Sequence, residues 1–326
     1  MEILRHLTGP ASLIALSCGS AFAQNPATFP SKPITVVLAT EPGATVDIET
    51  RLYTQKVSES LKNPVVLEYK TGGGQTIAIG YVSRATPDGH TLLAITSTFT
   101  IIPSLFKDLQ FDPIKSFEPV SLVSKQGYVV VASAAFPPKT FQEYVAYAKA
   151  NPGKINYGTA GAGGTTHVLA EWMHALTDSN VTYIHYRGGS PAYAAVLSGQ
   201  VDVVYANTNY MLPHAKSGKV KALAVTGTSR SMLYPEVPTV QEQGAKDFEF
   251  SSWLAYVAPA RTPTAVINKL SGEFAKAARQ PDVVKKLAAS DSTPIGRTPE
   301  ELRKTIAAEI PRWAKVVRDA NITLAD

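Results

Sequence analysis

Short apolar runs of strand length alternate along the chain with stripes spaced i, i+3, i+4, i+7, a pattern of strands separated by helices. Residues 33–39 form the first run. After it, Ile48 with Leu52, and Tyr53 with Val57 and Leu61, give the pairs of a helix. Residues 63–69 predict the next strand, followed by Gly72-Gly73-Gly74 and an apolar helix over 77–82. In the turn Pro87-Asp88-Gly89, Pro sets φ and Gly accepts a positive φ, and a strand over 90–95 follows. Residues 118–124 and 128–132 are two strands parted by a Gly-containing turn, where the chain first passes into a second domain.

Thr140-Phe141-Gln142-Glu143 predicts a capping box, with Phe141, Tyr144, Val145 and Ala148 on one buried stripe. A strand over 154–157, a helix with Leu169, Trp172, Met173 and Leu176 on its apolar stripe, and a strand over 181–185 come next. A helix over 190–196 and strands over 201–205 and 220–225 complete this second series. Residues 250–257 carry the chain back, and Pro263, Pro281 and Pro299 each start a helix where Pro is tolerated. Pro311 should kink the last helix or split it in two. The expected fold is α/β, with two doubly wound domains made of residues 24–125 plus 246–326 and residues 126–245.

Residues 157–167, Tyr-Gly-Thr-Ala-Gly-Ala-Gly-Gly-Thr-Thr-His, are the stretch around which a ligand is expected. A glycine-rich turn opening into a helix leaves unpaired N–H groups at the positive end of the helix dipole, and these bind phosphate or carboxylate without a charged side chain. The same glycines also suffice for a tight strand-to-helix connection. Residues 40–47 and 96–98 are further turns at strand ends that can present amides. His167, Glu171 and His174 share one face opposite the apolar stripe; the spacing could ligate a metal, but a face turned from the core is also where polar residues go, and no metal is expected. His167 alone could reach the cleft and donate to an anion. Glu41 is either a cleft carboxylate or a solvated loop residue, and Tyr205 and Phe99 either line a slot or belong to the core.

At 326 residues, with 44% hydrophobic and 17% charged, the chain suits two globular domains. Its +5 charge is scattered, so no nucleic-acid partner is expected, only a general attraction for small anions. Residues 1–23 read as a secretory signal, with Arg5 and His6 before an apolar stretch and Ala21-Phe22-Ala23 as the cleavage site. The single cysteine, Cys18, lies inside it, in a weak likeness to a lipoprotein signal; cleavage after Ala23 leaves a chain without disulfides. Gly-x-Ser-x-Gly, His-Glu-x-x-His and Gly-x-x-x-x-Gly-Lys-Ser/Thr are absent, and Gly161-Ala162-Gly163-Gly164 misses the dinucleotide fingerprint. No enzyme activity and no cofactor are expected.

Pro87-Asp88-Gly89-His90-Thr91-Leu92-Leu93, Asn151-Pro152-Gly153-Lys154-Ile155-Asn156-Tyr157, Ser198-Gly199-Gln200-Val201-Asp202 and Pro235-Glu236-Val237-Pro238-Thr239-Val240 resemble the substrate-binding components of tripartite tricarboxylate transporters, the Bug receptors. The likeness spans residues 31–322. It implies a periplasmic type II binding-protein fold whose two domains, joined by a hinge, close over a small organic carboxylate and deliver it to integral-membrane permease subunits. The resemblance places ligand contacts at Gly43, Ala44, Thr45 and Asp47 in a first loop and at Ser97, Thr98 and Phe99 in a second. The third loop offers Thr159, Ala160, Gly161, Gly163, Thr165, Thr166 and His167, and Asn207 and Trp253 form the rim. Ala44, Thr45 and Val46 replace the family's usual glycines and Thr, Glu41 replaces a small or proline residue, and Ala206 replaces an acid. A monomer is expected; service to a sensor kinase is compatible with the same fold.

Overall fold

The computed structural model describes residues 29–322. The expected signal segment, with Cys18, lies outside the described residues. The chain begins β1 (Ile34–Leu38), α1 (Thr45–Leu61), β2 (Val65–Tyr69), α2 (Thr76–Ser83), β3 (Thr91–Thr96), α3 (Thr98–Leu105) and β4 (Phe117–Gln126). A second series follows: β5 (Tyr128–Ser133), α4 (Phe141–Ala150), β6 (Asn156–Thr159), α5 (Thr165–Thr177), β7 (Thr182–His185), α6 (Gly189–Ser198), β8 (Val203–Asn207), α7 (Thr208–Lys216) and β9 (Val220–Val225). The chain closes with β10 (Ser252–Pro259), α8 (Thr264–Ala278), α9 (Pro281–Ala289), β11 (Ser292–Arg297) and α10 (Pro299–Asp319).

These strands make two sheets, ordered β11-β4-β10-β3-β1-β2 and β7-β6-β8-β5-β9. β2, β1 and β3 run parallel, as do β7, β6 and β8, so each sheet gathers strand carboxyl ends along one edge. β10 enters the first sheet antiparallel between β3 and β4, and β5 enters the second antiparallel between β8 and β9. Apolar clusters cover both faces of each sheet, which is why the strands read as continuous apolar runs.

The chain passes between the sheets twice, at Gly127 and through residues 226–251, and Thr226 ties the passages together. Its N–H donates to Tyr128 O at 3.0 Å and its hydroxyl to Phe250 O at 2.8 Å, while the Tyr128 N–H donates to its Oγ1 at 2.9 Å. Above this knot the Tyr128 and Phe250 rings stack at 5.9 Å. Of the kink or split expected at Pro311, the split does not occur, and α10 runs through it. Leu302 and Ile306 are anchored in the first sheet's cover, and Trp313, Val316 and Val317 in the cluster on the second sheet, so packing on both sides of Pro311 outweighs its cost of about 3 kcal/mol. The Thr140 cap forms, accepting from Glu143 N–H at 3.1 Å, but the Glu143 carboxylate returns to the Lys139 amide instead of completing the box.

The polar-face reading of α5 is corrected. His167 and His174 are both 4% exposed, whereas Leu176, read as core, is 40% exposed. The helix lies between the sheet and α10, with Trp172 packed on Trp313 at 5.7 Å, so it is buried on more than one face. Tyrosine hydroxyls make this tolerable: His174 bonds the Tyr144 and Tyr183 hydroxyls through its two ring nitrogens. Burial pushes the His174 imidazole down to about 3, so the folded protein holds it neutral. A depressed imidazole contributes stability that is present above about pH 6.5 and is lost as pH falls toward about 3. We therefore expect His174→Gln, which cannot titrate, to flatten the acid limb of a denaturation-versus-pH profile by at most about 1.4 kcal/mol per pH unit. Parallel limbs for the two proteins would remove His174 from the account.

Candidate ligand-binding site

Two of the loops singled out by the sequence connect a parallel strand to the helix that follows it, residues 39–44 before α1 and residues 160–164 before α5. The two sheets touch beside the second of them. β3 lies beside β1, and Thr98, just after β3, meets Thr165 in the first turn of α5 with hydroxyl oxygens 2.6 Å apart. Ser97 faces Ser252 at the foot of β10, oxygen to oxygen at 3.3 Å.

Ala44 and Gly164 are the N-cap residues of α1 and α5, and neither has a side chain that can accept a hydrogen bond. Among the described residues no acceptor meets the N–H groups of Thr45, Val46 and Asp47, or those of Ala162, Thr165 and Thr166. Other helices also start without a side-chain cap. What sets these two apart is a clasp to a glycine at a helix that has no side-chain cap. In each, the third helical residue reaches back to the glycine before the N-cap: Asp47 Oδ2 accepts from Gly43 N–H at 2.8 Å, and His167 Nδ1 from Gly163 N–H at 3.1 Å. Both glycines have positive φ, +84° and +69°, which turns their amides toward the clasp and away from the helix axis.

Each clasp is braced from behind. Asp47 also accepts from the Tyr69 hydroxyl at 2.6 Å and pairs with Arg51 at 3.0 Å. Burial alone would raise its carboxyl, but the Gly43 amide, Tyr69 and Arg51 together hold it below the usual range. Because His167 Nδ1 accepts, its proton sits on Nε2, which faces Glu171 at 3.4 Å. Thr166 Oγ1 accepts from the Ala160 N–H at 2.9 Å, and Thr159 Oγ1 takes the Gly161 N–H at 3.4 Å while bonding His185 Nδ1 at 2.7 Å. Burial, with help from nearby His167 and against Glu171, lowers the His185 pKa.

Apart from Ser97 and Thr98 at the seam, the residues expected at the site fall into three groups. Thr45, Asp47, Thr165 and Thr166 carry open amides, and Ala44 and Gly164 are the uncapped positions that leave them open. The side chains of Asp47, Thr159, Thr166 and His167, with the amides of Gly43, Ala160, Gly161 and Gly163, hold the loops in shape; His167 is a clasp, with both ring nitrogens facing protein groups. Phe99, Trp253 and Asn207 stand back. Phe99 is fully buried against Phe117, and Trp253 is a core residue whose Nε1 donates to Glu309 at 3.0 Å. Asn207 is taken up by Gln126 at 3.1 Å and Tyr193 at 2.6 Å near the first crossover. Tyr205 is core as well, its hydroxyl on Met173 Sδ at 3.0 Å, and Glu41 is exposed. Val46 and Ala162 lie inside the expected loops but were not singled out; counting from the N-cap would have marked the open amide of Val46, at the second helical position.

Two α/β sheets joined by two crossovers, with open helix N-termini along the seam, define a solute-binding receptor of the periplasmic type. The family described as tripartite tricarboxylate transporter family receptor matches residues 50–322, and this chain belongs to it. It is similar to two Bordetella pertussis proteins: one described as a UPF0065 protein, 32% identical over 98% of both chains, and BugT, 30% identical over 98% of this chain and 99% of that one. Among solved structures it is similar to MatC from Rhodopseudomonas palustris with bound malate (TM-score 0.81, 31% identity, 89% of this chain and 100% of that one) and to R. palustris Rpa4515 with adipate (TM-score 0.83, 26% identity, 90% and 99%). The family consists of receptors, not enzymes.

Removing a clasp should loosen the loop that it holds. Asp47→Ala strands the Gly43 amide and the Tyr69 hydroxyl, and we expect a loss of about 1–3 kcal/mol in urea denaturation. A variant as stable as the wild type would mean that the clasp is incidental.

Proposed function

We propose that the chain captures a small carboxylate, mono- or dicarboxylic and aromatic ones included, between a lobe of residues 24–125 plus 246–326 and a lobe of residues 126–245. In this reading it works as an exported monomer in the periplasm, freed of its signal after Ala23, and hands the acid to integral-membrane permease subunits. The observation that carries the proposal is the pair of helix N-termini with six amides lacking a protein acceptor, on two sheets that touch through Thr98 and Thr165. A carboxylate offers four lone-pair sites and complements two such ends, each of which favours negative charge. The ligands bound by the malate and adipate relatives support the same chemistry.

Side-chain cations near the first loop are already committed, Arg51 to Asp47 and Lys70 to Glu68. Charge-assisted bonds contribute about 1.5–3 kcal/mol each, so a few amide contacts and some apolar burial reach micromolar affinity. Closure follows because the acid touches both lobes at once only when they meet.

Proline at the first helical position removes an N–H at little structural cost. Ala44 (ψ 156°) and Gly164 (ψ 165°) already have the extended conformation that a following proline requires. Thr45→Pro and Thr165→Pro should each weaken acid binding about tenfold or more in calorimetry while leaving the unfolding midpoint nearly unchanged, with Thr165→Val as the control for the lost hydroxyl. Unaltered affinity in both proline variants would refute amide capture.

A further inference from the structure

We propose that Arg187 is the specificity-determining residue of this site, a guanidinium that anchors a second acid group on the ligand and so selects dicarboxylates over monocarboxylates of equal length. The inference rests on the carboxylate reading above. It starts from strand register. β6 and β7 pair in parallel up to Thr159 and His185, and the pairing continues past the strand ends: Tyr186 N–H donates to Thr159 O at 3.0 Å and Gly188 N–H to Ala160 O at 3.2 Å. Arg187 stands between those two bonds, beside Ala160 and one residue short of the Gly161 turn.

Strand alternation then gives its side. Tyr183 and His185 turn toward α5, with ring centroids 5.1 and 4.6 Å from that of His167. Tyr186 turns to the other face, where it packs with the α6 side of the sheet and lies 3.5 Å from the point a Gly158 Cβ would occupy. Alternation carried past the end of β7 assigns the next residue, Arg187, to the α5 face, next to the turn that leads into the open amides. The side chain is exposed, and among the described residues it has no ion-pair or hydrogen-bond partner. The carboxylate on that face, Glu171, is turned to His167 Nε2 instead.

A monocarboxylate satisfied by amides at one end offers nothing to this cation. A second carboxylate presented to the planar guanidinium fork forms two parallel charge-assisted bonds, which a Lys ammonium reproduces only in part. The test is calorimetry of wild type, Arg187→Gln and Arg187→Lys with succinate and adipate against butyrate and hexanoate, at fixed ionic strength. Arg187→Gln is expected to lose about tenfold or more in affinity for the two dicarboxylates, with the Lys variant in between and the monocarboxylate affinities within about twofold. An equal fall for all four acids would reduce Arg187 to general electrostatic attraction and overturn the proposal, as would no change for any. If the wild type binds none of the four, this inference fails while the carboxylate reading, which also admits aromatic acids, is judged by the proline variants; wild-type binding without discrimination by Arg187→Gln refutes the arginine alone.

Discussion

A main-chain N–H inside a protein must find an acceptor, and at the head of a helix the nearest carbonyls point the wrong way. Two helices meet that constraint with an ordinary device, the threonine caps of α4 and α10. At α1 and α5 the cap positions are Ala and Gly, and the third helical side chain, which in a capping box would return to the N-cap amide, goes one residue further back to a glycine of positive φ. Each loop is thereby fixed without any side chain covering the amides of the first turn. Asp47 and His167 are chemically unlike, one an ionised carboxylate and the other a neutral ring nitrogen. Each supplies the one property the clasp needs, an acceptor of the right reach.

That arrangement needs a frame able to bring two helix ends together, and the frame is topological. Parallel strands send both loops to sheet edges, and the two crossovers join the sheets beside those edges. Thr226 makes the crossovers a single hydrogen-bonded unit, while α10 spans the joint with apolar residues packed against both halves. In the proposed closure the sheets turn about the backbone near Gly127 and residues 226–251, with the long final helix behind the joint. The Thr98–Thr165 contact is small, two hydroxyls that water can satisfy equally well, so separating the loops loses little.

The fold was legible because most of its strands are buried on two faces and its turns carry Gly and Pro where the backbone requires them. Residues 33–39 and 220–225 are apolar runs that a covered sheet explains, whereas 63–69 reads as a strand although β2 is a half-exposed edge strand, and the Gly loop before Thr165 marks a strand-to-helix turn by composition. Burial that depends on distant partners was less visible. His167 and His174 look like a solvated face until Tyr144, Tyr183 and α10 arrive from elsewhere in the chain to cover them. Pro311 looks like a break until both ends of its helix are seen to be anchored. At the site, the loops could be found from sequence, but the division of labour within them could not. Whether Asp47 touches a ligand or a glycine amide is decided by a φ of +84° at Gly43, and propensity does not reveal that. Arg187 was passed over because its neighbours read as a strand end, with nothing in the spacing to connect it to residues 160–164.

The account stands on main-chain capture, and a crystal structure of the acid-loaded protein tests it most directly. It predicts carboxylate oxygens within about 3.1 Å of amide nitrogens from both first turns, at Thr45 to Asp47 and at Thr165 to Thr166, with Asp47 and His167 still clasped to Gly43 and Gly163. A bound acid held by side chains alone, with those amides facing solvent, would contradict it.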